Sequence, residues 1–245
     1  DWEWTKEEHR DRLELLFGPV FPAIRHLECY RPIRDERERI QKAIRASQIK
    51  YLIFDSVALA CGGDPSGSEA CTTYWQIVRG FGLGSLHVAH VTKGFNGKSD
   101  DQKPFGSAFW HNMARASYNV KGTPHGDRGI AVGIYARKNQ WGRKKNAAFQ
   151  LGFSDHRTTI SSIEIKAVTE LEDGLPLNER IEGIIADEPQ ARKELAEMLG
   201  VELSSVQKIV HRETRRGNWL ELPGKKGQQK IAIAPSKKHD SGTEF

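Results

Sequence analysis

Four large apolar residues, Tyr51-Leu52-Ile53-Phe54, run straight into an acid, Asp55, and a hydroxyl, Ser56. An unbroken apolar run of this length predicts a strand buried on both faces, as in a parallel sheet flanked by helices. Asp55 then falls at the carboxyl end of that strand, where open α/β sheets bind their ligands. An acid there can hold Mg²⁺ beside the phosphates of a nucleotide, with Ser56 as a neighbouring oxygen. The plainer alternative is a core strand ending in an ordinary turn Asp.

The flanking elements decide whether other useful groups reach the same edge. Ser85–Val91 reads as a second buried strand, which brings His90 to its end. Between the two strands lie a loop, Cys61–Gly67, and a helix from Ser68 to Gly80 with Tyr74, Ile77 and Val78 on one stripe. Upstream, Asp1–Thr5 reads as a strand end carrying Glu3, and Lys6–Phe17 as an amphipathic helix closed by Gly18-Pro19. Leu27–Tyr30 reads as a short strand and Glu36–Ala46 as a helix capped by Asp35. Downstream come a polar loop, Gly94–Lys103, a short helix, Ser107–Arg115, and strands at Ser117–Lys121 and Ile130–Arg137. Ala147–Phe153 and Thr158–Ile165 form a hairpin. This order predicts an α/β fold: a mostly parallel sheet flanked by helices, with peripheral antiparallel strands, over residues 1–170.

Pro176 opens a second unit, 176–235. Helices are expected over Leu177–Ala186 and Ala191–Leu199, with a third begun by Ser204 in a capping box with Gln207. Two short strands, Trp219–Leu222 and Lys230–Ala234, close the unit as a winged helix-turn-helix. Lys208, Arg212, Arg215 and Arg216 fall on the outer side of the third helix, and Lys225 and Lys226 on the wing. Such a basic face suits DNA; a solvated surface or a protein-docking module is the alternative. The tail, 236–245, is polar and expected to be disordered.

Composition excludes several classes. The net charge of +5 is modest, and the basic residues crowd toward the C-terminal third, which suits a polyanionic partner. No apolar run is long enough to span a membrane. Three cysteines without C-x-x-C spacing suggest neither a disulfide framework nor a zinc site, so a reducing cytoplasm is expected. Asp1 is neither an initiator Met nor part of a signal peptide, so the chain reads as a piece of a longer one.

Taken in order, five segments of residues 1–166 resemble the RecA-fold ATPases of the plasmid RepA-type hexameric helicase family, with its phage and prophage AAA-type relatives. They are Asp1-Trp2-Glu3, Tyr51–Ser56, Ala89-His90-Val91-Thr92-Lys93, Phe105-Gly106-Ser107 through Arg115, and Arg137-Lys138-Asn139-Gln140-Trp141-Gly142. The resemblance implies that Glu3 polarises the attacking water and that Asp55 is the Walker B acid associated with Mg²⁺. It implies that His90 senses the γ-phosphate, and that Arg115 and Lys138 act on a neighbouring subunit's site. The family carries a second cation two residues after the Lys; Gln140 stands there instead.

The expected function is therefore ATP hydrolysis with Mg²⁺ by a ring-forming, hexameric, DNA-directed replication helicase or loader. The alternatives are a DNA-binding regulator with a ligand-sensing α/β domain and a degenerate ring subunit that hydrolyses nothing. Gly97-Lys98-Ser99 mimics the end of a P-loop, but Thr92 stands where its first Gly belongs and no apolar helix follows. The phosphate-binding loop is expected upstream of Asp1. Residues 1–245 alone are expected to be inactive in ATP hydrolysis and prone to aggregate.

Overall fold

The computed structural model describes residues 1–20, 22–91, 104–140, 142, 145–224 and 229–235. The chain divides into two compact units, Asp1–Gly174 and Leu175–Phe245. Both helix and strand are well represented. Among the described residues, no helix is long and apolar enough to cross a membrane.

The first unit is built on a parallel pair, β1 (Tyr51–Phe54) and β2 (Gly84–His87), in register from Tyr51 opposite Gly84 to Phe54 opposite His87. Helices α2 (Ile33–Ala46) and α4 (Ser68–Gly80) supply Ile33, Ile40, Cys71, Tyr74, Trp75 and Val78 to one core. Each of the Ile and Val side chains among them contributes about 1.5–3 kcal/mol on leaving water. That core takes only alternate residues of β1. Phe54 is buried, whereas Tyr51 and Ile53 are 56% and 64% exposed. The expectation of a strand buried on both faces is therefore corrected, because the helices of this core cover one face.

The larger sheet of the unit is antiparallel, in the order β3 (Ala116–Pro124), β4 (Gly129–Asn139), β5 (Ala147–Phe153), β6 (Thr158–Ile163). The expected mostly parallel sheet is corrected too: the parallel part is a single pair, and the antiparallel strands are the main sheet. Helix boundaries shift where local chemistry overrides the pattern. The second helix starts at Ile33 after Pro32, and Asp35 lies inside it. Leu27–Tyr30 is not a regular strand, although Cys29 N donates to Asp1 O. Between β2 and β3 the helix shrinks to α5 (Phe109–Met113), and single turns of helix, α3 (Val57–Ala60) and α6 (Thr169–Glu172), follow β1 and β6. Thr5 and Glu8 cap α1 (Lys6–Phe17) with a reciprocal capping box, a T-x-x-E signal legible in the sequence.

In the second unit, α7 (Leu177–Asp187), α8 (Arg192–Leu199) and α9 (Leu203–Arg215) pack around Ile181, Leu195, Val206 and Val210. An antiparallel sheet in the order β7 (Gln190–Ala191), β9 (Gln229–Ile233), β8 (Trp219–Pro223) closes it. Gly200 takes the left-handed conformation that ends α8, with φ of 60°. α9 begins at Leu203 after Glu202, so the expected box between Ser204 and Gln207 does not form. The tail from 236 and Lys225 and Lys226, expected on a wing, lie outside the described residues.

At the end of β2, His87 stacks on Phe54, with ring centroids 5.0 Å apart. Its two ring nitrogens meet Tyr74 Oη at 2.7 Å and Ser85 Oγ at 2.8 Å. Burial pushes its pKa from 6.5 down to about 4. Neutral His87 is therefore favoured in the fold, and the unfolded chain binds the extra proton across this window. Stability is complete above pH 6.5 and falls as pH drops through 6.5 toward 4, by about 3 kcal/mol at 1.36 kcal/mol per unit. Urea midpoints measured from pH 7 to pH 4 are expected to show this slope. His87→Gln, which keeps hydrogen-bonding capacity, is expected to flatten it.

Candidate functional site

Residues Asp1–Glu3 reach the carboxyl end of β1 because Trp2 anchors them. Its indole stacks on Phe54 at 6.2 Å and donates through Nε1 to Arg31 O at 2.8 Å. Trp2 N donates to Asp55 O at 2.6 Å, while Asp1 N donates to Leu27 O and Cys29 N to Asp1 O. The two Asp1 bonds follow the slanted pattern of parallel pairing with the chain at 27–29, and the Trp2 bond ties the segment to the end of β1. On the other side of β1, Val88 N donates to Phe54 O and Val57 N to Val88 O, which carries the chain on to His90.

Glu3, Asp55, Ser56 and His90 converge at this edge. Glu3 Oε1 lies 3.0 Å from His90 Nε2, with side chains 25% and 63% exposed. The buried Ser56 hydroxyl has no aligned hydrogen-bond partner. It lies close enough to Glu3 to help hold that carboxyl below its usual pKa, together with His90. Asp55 shifts the opposite way: burial and then the Glu3 charge raise its pKa, while His9 and His90 partly offset them. The Asp55–Ser56 peptide is cis. Two carboxylates and a buried hydroxyl make an oxygen-rich edge that suits a hard divalent cation such as Mg²⁺.

The other two expected catalytic cations form a second group. Lys138, on β4, donates through Nζ to His111 O at 3.2 Å and Asn112 O at 2.7 Å. It thereby satisfies carbonyls in the last turn of α5. Arg115 follows that helix, is exposed, and accepts at its carbonyl from Gln140 N. Gly106 brings the preceding segment onto the loop 61–67; a Cβ there would collide with the Pro65 carbonyl. Pro65 O also accepts from Ser107 N and Trp110 Nε1, both at 2.9 Å. The P-loop mimic at 97–99 lies outside the described residues.

In the second unit, Lys208, Arg212, Arg215 and Arg216 are all exposed. Two of them are also structural. Buried Glu213 accepts from Arg212 Nε at 2.7 Å, Arg216 Nη1 at 3.1 Å and Asn218 Nδ2 at 2.8 Å. Burial alone would raise the Glu213 pKa, but these partners hold it low. Lys208 and Arg215 have no ion pair with a described residue. Glu213 carries no signal in the sequence, because a single acid among basic residues has no periodicity.

Against protein-family models and curated proteins the sequence has no match, so the chemistry rests on this geometry. A carboxyl with a raised pKa in the fold costs stability once it ionises. The folded state keeps its proton longer, so stability falls as pH rises above the usual value of 3.8 through the raised folded pKa. Asp55→Asn is therefore expected to raise the thermal midpoint at pH 7 without nucleotide. That gain is expected to shrink toward zero below pH 4 in thermal scans at both pH values.

Proposed function

We propose that this chain belongs to an ATP-hydrolysing, ring-forming, DNA-directed motor or loader with a RecA-like core and a winged helix. The observation that carries the reading is the convergence of Glu3, Asp55, Ser56 and His90 at one end of a parallel strand pair. Asp55 and Ser56 would hold Mg²⁺, which supplies charge neutralisation on the phosphate oxygens. Glu3, kept ionised by its neighbours, orients a water for attack and accepts its proton. His90 fixes the Glu3 carboxylate and offers a nitrogen toward the leaving phosphate. Arg115, exposed after α5, reaches a neighbouring copy in a homo-oligomeric ring, and Lys138 holds the helix end from which it projects.

The second unit supports the DNA-directed part through the order helix, strand, helix, helix, strand, strand and the basic outer face of α9. Its phosphate contacts are assigned first to Lys208 and Arg215, because Arg212 and Arg216 also hold Glu213 in place.

The reading is tested by ATP hydrolysis with the full reading frame, Mg²⁺ and single-stranded DNA. Asp55→Ala and Arg115→Ala are each expected to abolish turnover, and Arg115→Ala to spare nucleotide binding, since its group acts on the transition state. Mixed rings of the two variants are expected to regain activity. Turnover that survives Asp55→Ala, or mixed rings that form and stay inactive, would contradict the assignment.

DNA binding is tested separately. Lys208→Glu with Arg215→Glu is expected to weaken affinity and to lower the slope of log K against log salt by about 0.9 for each phosphate no longer neutralised. An unchanged slope would make the second unit a protein-docking module.

A further inference from the structure

Beside the edge that carries Asp55, three other side chains meet where the segment 1–4, α1 and the chain at 25–29 come together. Asp1 Oδ2 lies 2.6 Å from His9 Nε2 and 3.9 Å from His26 Nε2. The two imidazoles stand 4.6 Å apart, tilted by 48°. One ligand atom from each of the three residues falls within 4.8 Å of the others. The side chains of Asp1 and His26 are only 8% and 13% exposed.

Two details separate this cluster from an incidental ion pair. Asp1 Oδ1 accepts from both Glu3 N and Trp4 N at 2.8 Å, which fixes the carboxylate and turns Oδ2 toward the imidazoles. Backbone donors of this kind orient ligands in metal centres. His26, in contrast, has neither ring nitrogen hydrogen-bonded, and both are buried. A buried imidazole with no hydrogen bond is costly unless something satisfies it. The neighbouring His9 ring is itself spoken for by Asp1.

We infer that Asp1, His9 and His26 form a binding site for a transition-metal dication of the Zn²⁺ class. Two imidazole nitrogens and one carboxylate oxygen suit Zn²⁺ or Co²⁺ better than Mg²⁺ or Ca²⁺, which prefer all-oxygen sets. Tetrahedral ligation at about 2.0–2.1 Å places ligand atoms about 3.3 Å apart. The short Asp1–His9 contact and the long Asp1–His26 contact would each move by less than about 1 Å to meet it. The bound ion would tie segment 1–4 to α1 and to the chain at 25–29, with a fourth position open to water. This site shares no ligand with Asp55 and Ser56, although the Asp55 charge acts on His9.

The test titrates tag-free, metal-stripped protein with Co²⁺ and then displaces it with Zn²⁺. Visible d–d bands of a four- or five-coordinate ion, saturating at one equivalent, are expected. Zn²⁺ is expected to bleach them and to raise the thermal midpoint, an effect reversed by EDTA. His26→Gln and His9→Gln are expected to lose the bands and the thermal shift, while His90→Gln and Asp55→Asn keep both. Should a His variant fail to fold, ¹⁵N imidazole spectra of the wild type replace it, with His9 and His26 alone expected to shift on Zn²⁺ addition. Absence of saturable Co²⁺ binding would overturn the proposal and leave a proton-sharing Asp–His–His cluster. Bands unchanged in His26→Gln, or a sulfur-to-cobalt charge-transfer band from Cys29, would overturn the ligand set.

Discussion

One backbone hydrogen bond, from Trp2 N to the Asp55 carbonyl, decides whether the proposed site exists at all. Glu3 comes from the start of the chain and Asp55 from a strand end more than fifty positions later. Nothing local brings them together. The Trp2 indole on Phe54 and the bonds to Leu27 and Cys29 hold the segment from both sides, so Glu3 arrives beside Ser56 and His90 as a consequence. The cost falls on Asp55, whose carboxylate is partly buried and faces another acid. Perturbed carboxyls of this kind cluster at functional sites and also occur in structural ion-pair networks.

The contrast with His87 sharpens that distinction. His87 lies one strand away, is equally unusual in its protonation, and has both nitrogens satisfied by Tyr74 and Ser85. A buried polar group that is satisfied and closed off is explained by the core it completes. Ser56, buried and without an aligned partner, is not explained in that way. The same criterion reassigns the basic helix of the second unit. Arg212 and Arg216 are partly consumed by Glu213, whereas Lys208 and Arg215 of the same helix have no ion pair with a described residue.

Much of this was legible in the sequence, and the misses have physical causes. Lys6–Phe17 was readable to the residue and a helix from about Ser68 to Gly80 closely so, because Gly18 and the Gly67 turn punctuate them. The apolar run 51–54 marked a strand but not its exposure, since a run of four cannot say how many layers cover it. The dominance of the antiparallel sheet was hidden as well: β3 to β6 each read as strands, yet sheet membership is a matter of long-range pairing. Asp55 and Ser56 announced themselves by position at the end of the run 51–54. The buried strand expected over Ser85–Val91 is only β2 (Gly84–His87), with alternate residues exposed, and His90 lies beyond its end. Glu3 needed a family resemblance, and the cluster of Asp1, His9 and His26 gave no signal, because its spacing is set by a loop with no repeat.

The central claim is that the edge holding Asp55 and Ser56 binds a metal–nucleotide complex. The most direct measurement is the loss of the free Mn²⁺ electron-paramagnetic-resonance signal when ATP and the full reading frame are added together. The account expects saturable Mn²⁺·ATP binding at one equivalent per subunit, strongly weakened by Asp55→Asn and retained by His26→Gln. Binding of equal strength in wild type and Asp55→Asn would contradict it.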